Sequence, residues 1–302
     1  VDLRFIRGVC KDKREVQNMK DSIKKADILI EAIPYIRAFK DKVVVIKYGG
    51  SAMEDIASRQ SLLRDIIFMN AVGIKPILIH GGGPAISHKL KQLGKNVKFV
   101  NGKRVTDEHT IKIVDRVLSK INKQIAQEII DLGGSAKRLL AKDNNLVLAK
   151  CKNSKLGFVG TPVSINTRFI NRVLKKGFIP VISSVGRGYA DRRLYNINAD
   201  DVASFTAKSL KAEKFVLFTN VEGILKDKAD QASLLSTMKA SQARLLIASG
   251  VISEGMIPKV QACVDALKAG VKKAHIIGAY VPHSLLLEIF TKKGAGTEIT
   301  RE

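Results

Sequence analysis

Tryptophan is absent from this 302-residue chain, which has only five tyrosines and eleven phenylalanines. Aromatic rings on which bases could stack are scarce. That scarcity weighs against nucleic-acid binding despite a formal net charge of +24, because charge alone speaks to partners and not to fold. The lysines are spread along the chain and seldom cluster beyond pairs, as on the solvated surface of a protein that handles anions. Three cysteines, Cys10, Cys151 and Cys263, are far apart and odd in number. They imply no disulfide framework, have no metal-ligand spacing and predict a reducing compartment, the cytoplasm. No run of 18 apolar residues occurs, so no membrane span is expected. Residues 1–14 lack an apolar h-region, which argues against a secretory signal.

Familiar catalytic signatures are missing too. No Gly-Lys-Ser/Thr follows a glycine loop, so there is no P-loop, and G-x-G-x-x-G is absent. Neither a protein-kinase signature set nor a G-x-S-x-G elbow appears. His80, His88, His109, His275 and His283 lie on separate elements without metal spacing, and His80 precedes glycines that already account for its loop. A resident metal is not expected.

What is present is an apolar content of 45%, enough for a sizeable core, and a β-α-β-α rhythm from Lys42 onward. Val43–Lys47 and the strand at 76–79 each end in glycines, Gly49-Gly50 and Gly81-Gly82-Gly83, before a helix. Helices are predicted over about 58–72, 84–93 and 108–132, the last stopped by Gly133-Gly134. Residues 98–100 and 104–106, joined by Asn101-Gly102-Lys103, read as a hairpin. Strands follow at 146–150, 158–165 and 179–183, then a loop from Gly186 to Arg193 and the segment Leu194–Ile197. A helix from Ala199, a strand at 215–219, a helix at about 257–269 and a strand at 275–277 complete the core. This alternation predicts an α/β fold, an open, mainly parallel sheet covered on both faces, with two lobes divided near residue 190. Before it, Val16, Met19, Ile23, Ala26 and Ile30 recur at helical spacing. Pro34 is expected to end or kink that helix.

Two glycine loops at the carboxyl ends of neighbouring parallel strands form a site for anions. Lys47 adds a full charge there. Asn196-Ile197-Asn198-Ala199-Asp200 is either a helix N-cap or a carboxylate with amides that organises lysines. Lys259 stands in the first turn of a helix, where a cation opposes the dipole unless an anion is near. Arg104 follows the hairpin turn, and an arginine fork suits a carboxylate.

These segments resemble the N-acetyl-L-glutamate kinases of the amino-acid kinase family. The matches are KYGG at 47–50, HGGGP at 80–84, FVNGKRVTD at 99–107, NINAD at 196–200, NVEGIL at 220–225, GMIPKV at 255–260 and VPHSLLLEIFTKKGAGT at 281–297. HGGGP and NGKRVTD favour this branch over carbamate, aspartate or uridylate kinases. The resemblance implies an open αβα sandwich with an acetylglutamate-binding lobe at 42–190 and an ATP-binding lobe at 191–302. It also implies transfer of the γ-phosphoryl group of ATP to the side-chain carboxylate of acetylglutamate, in arginine synthesis, with magnesium carried by the nucleotide. By position, Lys47 and Lys259 match the lysines that stabilise the moving phosphoryl group, and Asp200 the carboxylate that orients them. Gly82, Gly83, Arg104 and Asn196 match acetylglutamate contacts. Gly49, Gly50, Gly82, Thr219, Asn220 and Gly223 match phosphate or nucleotide contacts.

Leu29–Ile36 resembles the kinked helix of arginine-inhibited, hexameric members, so residues 1–41 are expected to serve assembly. His283, Gly294 and Gly296 fall in the tail that implies an arginine site. The chain departs from the family pattern at Asn220, at Glu254 and at Gly278-Ala279-Tyr280, which bears on nucleotide affinity and regulation. The alternatives are a non-catalytic basic paralogue that senses ligands or associates with nucleic acid, and a kinase for a related amino-acid derivative.

Overall fold

The computed structural model describes residues 13–100, 102–227, 229–252, 255–291 and 294–301. Cys10, Asn101 and Glu254, all singled out above, lie outside the described residues. The chain runs α1 (Lys13–Phe39), β1 (Val43–Tyr48), α2 (Ile56–Ala71), β2 (Lys75–His80), α3 (Gly83–Gln92), the short hairpin β3 (Phe99–Val100) and β4 (Lys103–Arg104), and α4 (Glu108–Asp131). There follow β5 (Ala136–Leu139), β6 (Val147–Cys151), β7 (Val159–Ile165), α5 (Thr167–Lys175), β8 (Ile179–Ile182), β9 (Val185–Gly188) and β10 (Leu194–Ile197). The last third holds α6 (Ala199–Ser209), β11 (Lys214–Thr219), β12 (Thr237–Lys239), α7 (Ala240–Ala248), α8 (Ile257–Lys268), β13 (Lys273–Gly278), α9 (Ser284–Phe290) and β14 (Gly296–Thr300).

Eight strands form one sheet in the order β12-β14-β13-β11-β1-β2-β8-β5. Only the β13–β14 pair is antiparallel. The central strands are runs of Val, Ile and Leu buried on both faces, as parallel strands under two helical layers must be. Alternate residues divide between two cores. Val45, Ile77, Ile79, Phe215 and Leu217 pack with α6 and α8 residues such as Ala203, Val260 and Cys263. Val44, Ile46, Leu78 and Val216 pack with Leu63 and Ile66 of α2 and with Ile125 and Ile129 of α4. Because the period of a strand is two, Lys47 shares the Val45 face and so meets α6 and α8. Register aligns Lys47 with Ile79 on β2 and with Leu217 on β11. The two glycine loops therefore leave the same sheet edge side by side.

The open, mainly parallel sheet is as expected, with several differences. Helix α1 continues through Pro34 to Phe39; the proline forfeits one hydrogen bond, and Tyr35 and Phe68 compensate by packing edge-on against Phe290, at 6.3 and 5.8 Å between centroids. Lys103 belongs to a strand and not to the turn, opposite Val100. The segment 186–193 is not all loop: Val185–Gly188 is a strand, and β6, β7, β9 and β10 close into a ring. Gly186 allows this closure, since a side chain there would meet Val147 O at 2.9 Å and Ile197 Cδ1 at 2.6 Å. Strands β5, β12 and β14 and helices α7 and α9 also lack a counterpart in the sequence reading, being short or masked by polar residues. Among the described residues, no helix is long and apolar enough to cross a membrane.

Candidate active site

Asp200 is the centre of the site. It stands in the first turn of α6, whose N-cap is Asn198: the Asn198 side chain accepts a hydrogen bond from Asp200 N at 3.0 Å. In the NINAD segment Asn198 is thus the helix cap, and Asp200 is the carboxylate that meets two lysines. The Asp200 carboxylate, 5% exposed, receives Lys47 Nζ at 2.8 Å on Oδ1 and Lys259 Nζ at 3.0 Å on Oδ2. Burial pushes the Asp200 carboxyl up, but the two ammonium groups outweigh it and hold it at about 2. Burial pulls Lys47 below the ordinary lysine range, against the pull of Asp200 and with reinforcement from Lys259. Ser204 Oγ, on α6, donates to Ala262 O at 2.9 Å and ties that helix to α8, the helix that carries Lys259.

Of Asp200 and its two lysines, Lys47 faces a cavity of about 230 Å³ lined also by Gly49, Gly50, Gly82, Gly83, Arg104 and Asn196, among others. Seven residues singled out from the sequence thus converge. A side chain at 49 would stand 3.1 Å from Lys47 Nζ, and one at 82 would stand 2.7 Å from both Leu118 Cδ2 and Ile121 Cδ1. The loop is therefore a cradle that a Cβ would fill. Buried Arg104 lies over the Phe99 ring, 4.8 Å from its centroid. Its Nη2 donates to Ser87 Oγ at 2.7 Å and Gly83 O at 3.1 Å, whereas its buried Nη1 has no partner among the described residues. Asn196 Nδ2 donates to Thr106 Oγ1 at 3.3 Å.

A second cavity, about 460 Å³, is lined by Asn220, Glu222, Gly223, Met256 and Tyr280, among others. Met256 is the N-cap of α8, so one helix terminus borders this cavity and also sends Lys259 to Asp200. Thr219 does not line it. Its buried hydroxyl closes the turn after β11, donating to Val221 O at 2.6 Å and accepting from Val221 N at 3.1 Å. Gly223 is required by close packing, since a side chain there would stand 2.6 Å from Thr297 Oγ1.

The three residues of the expected effector site do not share a cavity. His283 caps α9 with φ +57°, its Nδ1 2.5 Å from Asp65 Oδ1, and faces a groove beside α1. Gly296 is buried in β14 against Ile276 O. Gly294 lines another cavity of about 460 Å³ with Tyr35 and Phe39 of α1 and with Lys214, Glu288 and Glu298. Glu288 anchors it: His275 Nδ1 lies 2.6 Å from Oε1, and Ala295 N donates to Oε2 at 2.7 Å. Burial pushes His275 down, so the neutral ring donates from Nδ1. Lys214 Nζ sits 5.2 Å from the Phe39 ring centroid, and Lys273 Nζ bonds both oxygens of Glu298 at 3.1 Å. The sequence reading missed this group, although a lone acid inside the apolar run Leu285–Phe290 was a signal. His275, Glu288 and Glu298 are the one set of His and acid side chains within shared ligand distance among the described residues. They are not among the residues that line the glycine-loop cavity.

The sequence model of the amino acid kinase family matches residues 42–278. The acetylglutamate kinase of Caldanaerobacter subterraneus subsp. tengcongensis is 50% identical over 285 residues, 93% of this chain and 95% of that one. The N-acetylglutamate synthase of Neisseria gonorrhoeae complexed with coenzyme A and N-acetyl-glutamate is a solved structure with a TM-score of 0.81 at 23% identity, spanning 92% of this chain and 63% of that one. The same synthase complexed with coenzyme A and L-arginine gives 0.76 at 25% identity, spanning 92% and 65%. With its glycine loops, paired lysines and sheet order described, and with this match over most of its length, the chain belongs to the amino acid kinase family.

Proposed function

We propose that this chain transfers the γ-phosphoryl group of ATP to the side-chain carboxylate of N-acetyl-L-glutamate, a step of arginine biosynthesis. The observation that carries the reading is the Lys47–Asp200–Lys259 arrangement beside the glycine loops. A carboxylate is already a nucleophile at neutral pH, so the site needs no general base. One carboxylate oxygen bonds to the γ-phosphorus as the bond to the β–γ bridging oxygen breaks, and ADP departs with that electron pair. What the protein must supply is position and positive charge at the transferring group. Lys47 and Lys259 supply the charge. Asp200 aims them and keeps two close ammonium groups tolerable. Gly49, Gly50 and Gly82 let backbone N–H groups approach phosphate oxygens. The unpartnered Arg104 Nη1 and the Asn196 amide suit the acceptor's carboxylate and amide. Magnesium would accompany the nucleotide and offset phosphate charge.

Residues 42–190 form the acetylglutamate lobe and 191–302 the ATP lobe in this reading, with Asn196 reaching across. Asn220, Gly223 and Tyr280 border the nucleotide cavity. Arginine acts as feedback inhibitor in the cavity of Gly294, Glu288, Glu298 and Lys214, where carboxylates face its guanidinium and ammonium groups its carboxylate. The relative that binds L-arginine supports this. The test is a coupled assay for ADP release. Release that requires acetylglutamate, with an acyl phosphate trapped as hydroxamate, is expected; release indifferent to acetylglutamate, or elicited better by a homologous acid, would overturn the substrate assignment.

A further inference from the structure

The strand β2 ends in His80, a side chain that is 0% exposed and touches no candidate ligand cavity. Its two ring nitrogens have different partners. Nδ1 is 2.9 Å from Gly81 O, and Nε2 is 3.1 Å from Asn122 Nδ2. A carbonyl oxygen only accepts, so Nδ1 carries the proton and Nε2 is the bare acceptor. Asn122 is also 0% exposed, and the same Nδ2 donates to Val181 O at 2.8 Å, which fixes the amide's orientation. Asn122 on helix α4, anchored by the accepting Val181 carbonyl of β8, thus donates to the His80 ring, whose Nδ1–H donates in turn to the Gly81 carbonyl. The ring stays neutral because burial pulls it down to about 4.

That carbonyl belongs to the Gly81–Gly82 peptide. The peptide is planar and trans, so the Gly82 N–H points opposite to the Gly81 C=O. With the carbonyl held toward the interior ring, the N–H is turned the other way, toward the cavity that Gly82 lines. It has no partner among the described residues. Gly81 N is held as well, donating to Tyr48 O at 3.0 Å. Glycine has almost no intrinsic preference that would keep such a plane from rotating; three glycines in a row need an external hold. Leu118 and Ile121 of α4 support Gly82 from below, and Asn122, next along that helix, reaches the ring.

We propose that His80, oriented by Asn122, is a positioning residue that turns the Gly82 N–H toward the transferring phosphoryl group. The proposal rests on the kinase reading above. It predicts that a donor at the Nδ1 position is what turnover requires. His80→Asn places an amide donor near the Nδ1 position, whereas His80→Gln places its amide near Nε2 and leaves Gly81 O without a donor. His80→Gln should lower kcat by about tenfold or more, part of the loss seen when a transition-state donor is removed outright. His80→Asn should stay within about threefold of the parent on the same scale. The Tm of the two variants should be alike, and KM for ATP should move little in either. Nitrogen NMR of the ring in the unsubstituted enzyme should show the proton on Nδ1. Equal loss of kcat in both variants, no loss in His80→Gln, or a ring protonated on Nε2 would each overturn the proposal. A parent enzyme inert toward acetylglutamate would remove the substrate reading, and the ring spectrum would still decide the tautomer.

Discussion

At the scale of single residues the site is an electrostatic balance among three side chains, and its balance sets the expected kinetics. Truncating Lys47 or Lys259 to alanine should lower kcat by about two orders of magnitude, the usual loss for a removed electrostatic stabiliser. Lys47→Arg should be poor as well, because a planar fork does not replace a compact ammonium in a space so tight that a Cβ on Gly49 would stand 3.1 Å from Lys47 Nζ. Near-normal turnover in Lys47→Ala would remove it from the mechanism. The pH dependence follows from the same contacts. Lys47 is depressed by burial, so its ammonium is lost at a pH below the ordinary 10.5 and activity should fall on the alkaline side before that value. Asp200 raises Lys47. In Asp200→Asn the alkaline limb should therefore move to still lower pH, measurable in a kcat–pH profile; a shift upward would contradict the pairing. In acid the sign is that of a depressed carboxylate. Stabilisation from Asp200 is present above about 4 and is lost as pH falls toward its folded value of about 2.

The substrate side rests on one arginine. Arg104→Ala should raise KM for acetylglutamate much more than KM for ATP, since Arg104 lines the glycine-loop cavity and one of its nitrogens is buried and unpaired among the described residues. An equal rise for both substrates would make Arg104 a support for the hairpin alone.

At the scale of elements, the proposed assembly and regulation turn on helix α1. Its end from Tyr35 onward is held by Phe290, while Ile28, Leu29 and Ile30 are each more than 60% exposed. Exposed apolar side chains grouped in this way on a surface helix call for a partner surface. Deleting residues 1–38 should convert a hexamer into dimers in light scattering, and a full-length dimer would refute the role. The same deletion removes Tyr35 from the cavity of Glu288 and Lys214. Arginine should raise the half-saturating acetylglutamate concentration of the full-length enzyme and lose that effect in the truncated one, with turnover largely kept. A coupling of about 1–3 kcal/mol is the expected size. No inhibition at millimolar arginine would end the regulatory reading.

At the scale of the whole molecule, the basic charge is not evenly placed. Residues 136–197, which include the four-stranded ring, hold thirteen lysines and arginines against two aspartates and no glutamate, so a net +11 of the +24 lies in one fifth of the chain. Val159, Ser184, Asn196 and Ile197 from this region line the glycine-loop cavity. A positive field over a cleft concentrates anionic substrates and is screened by salt. The kcat/KM for acetylglutamate should fall by about threefold or more between low and 0.5 M salt, with kcat nearly constant. A flat profile would assign the charge to solubility.

Which features were legible in the sequence follows from what is local. The Val43–Tyr48 run, the glycines after two strands, the Asn198 cap and the stop at Gly133-Gly134 are encoded by neighbours along the chain, so fold class, glycine loops and family could be read there. Strand register then decided what neighbours cannot. It set Lys47 beside Asp200, brought Lys259 from 59 residues away, separated His283 from Gly294, and assembled Lys214, Glu288 and Glu298 into a cavity. Asn122 is 42 residues from the His80 ring it holds. Periodicity specifies which face of an element is buried, but only packing specifies which polar group meets which once it is there.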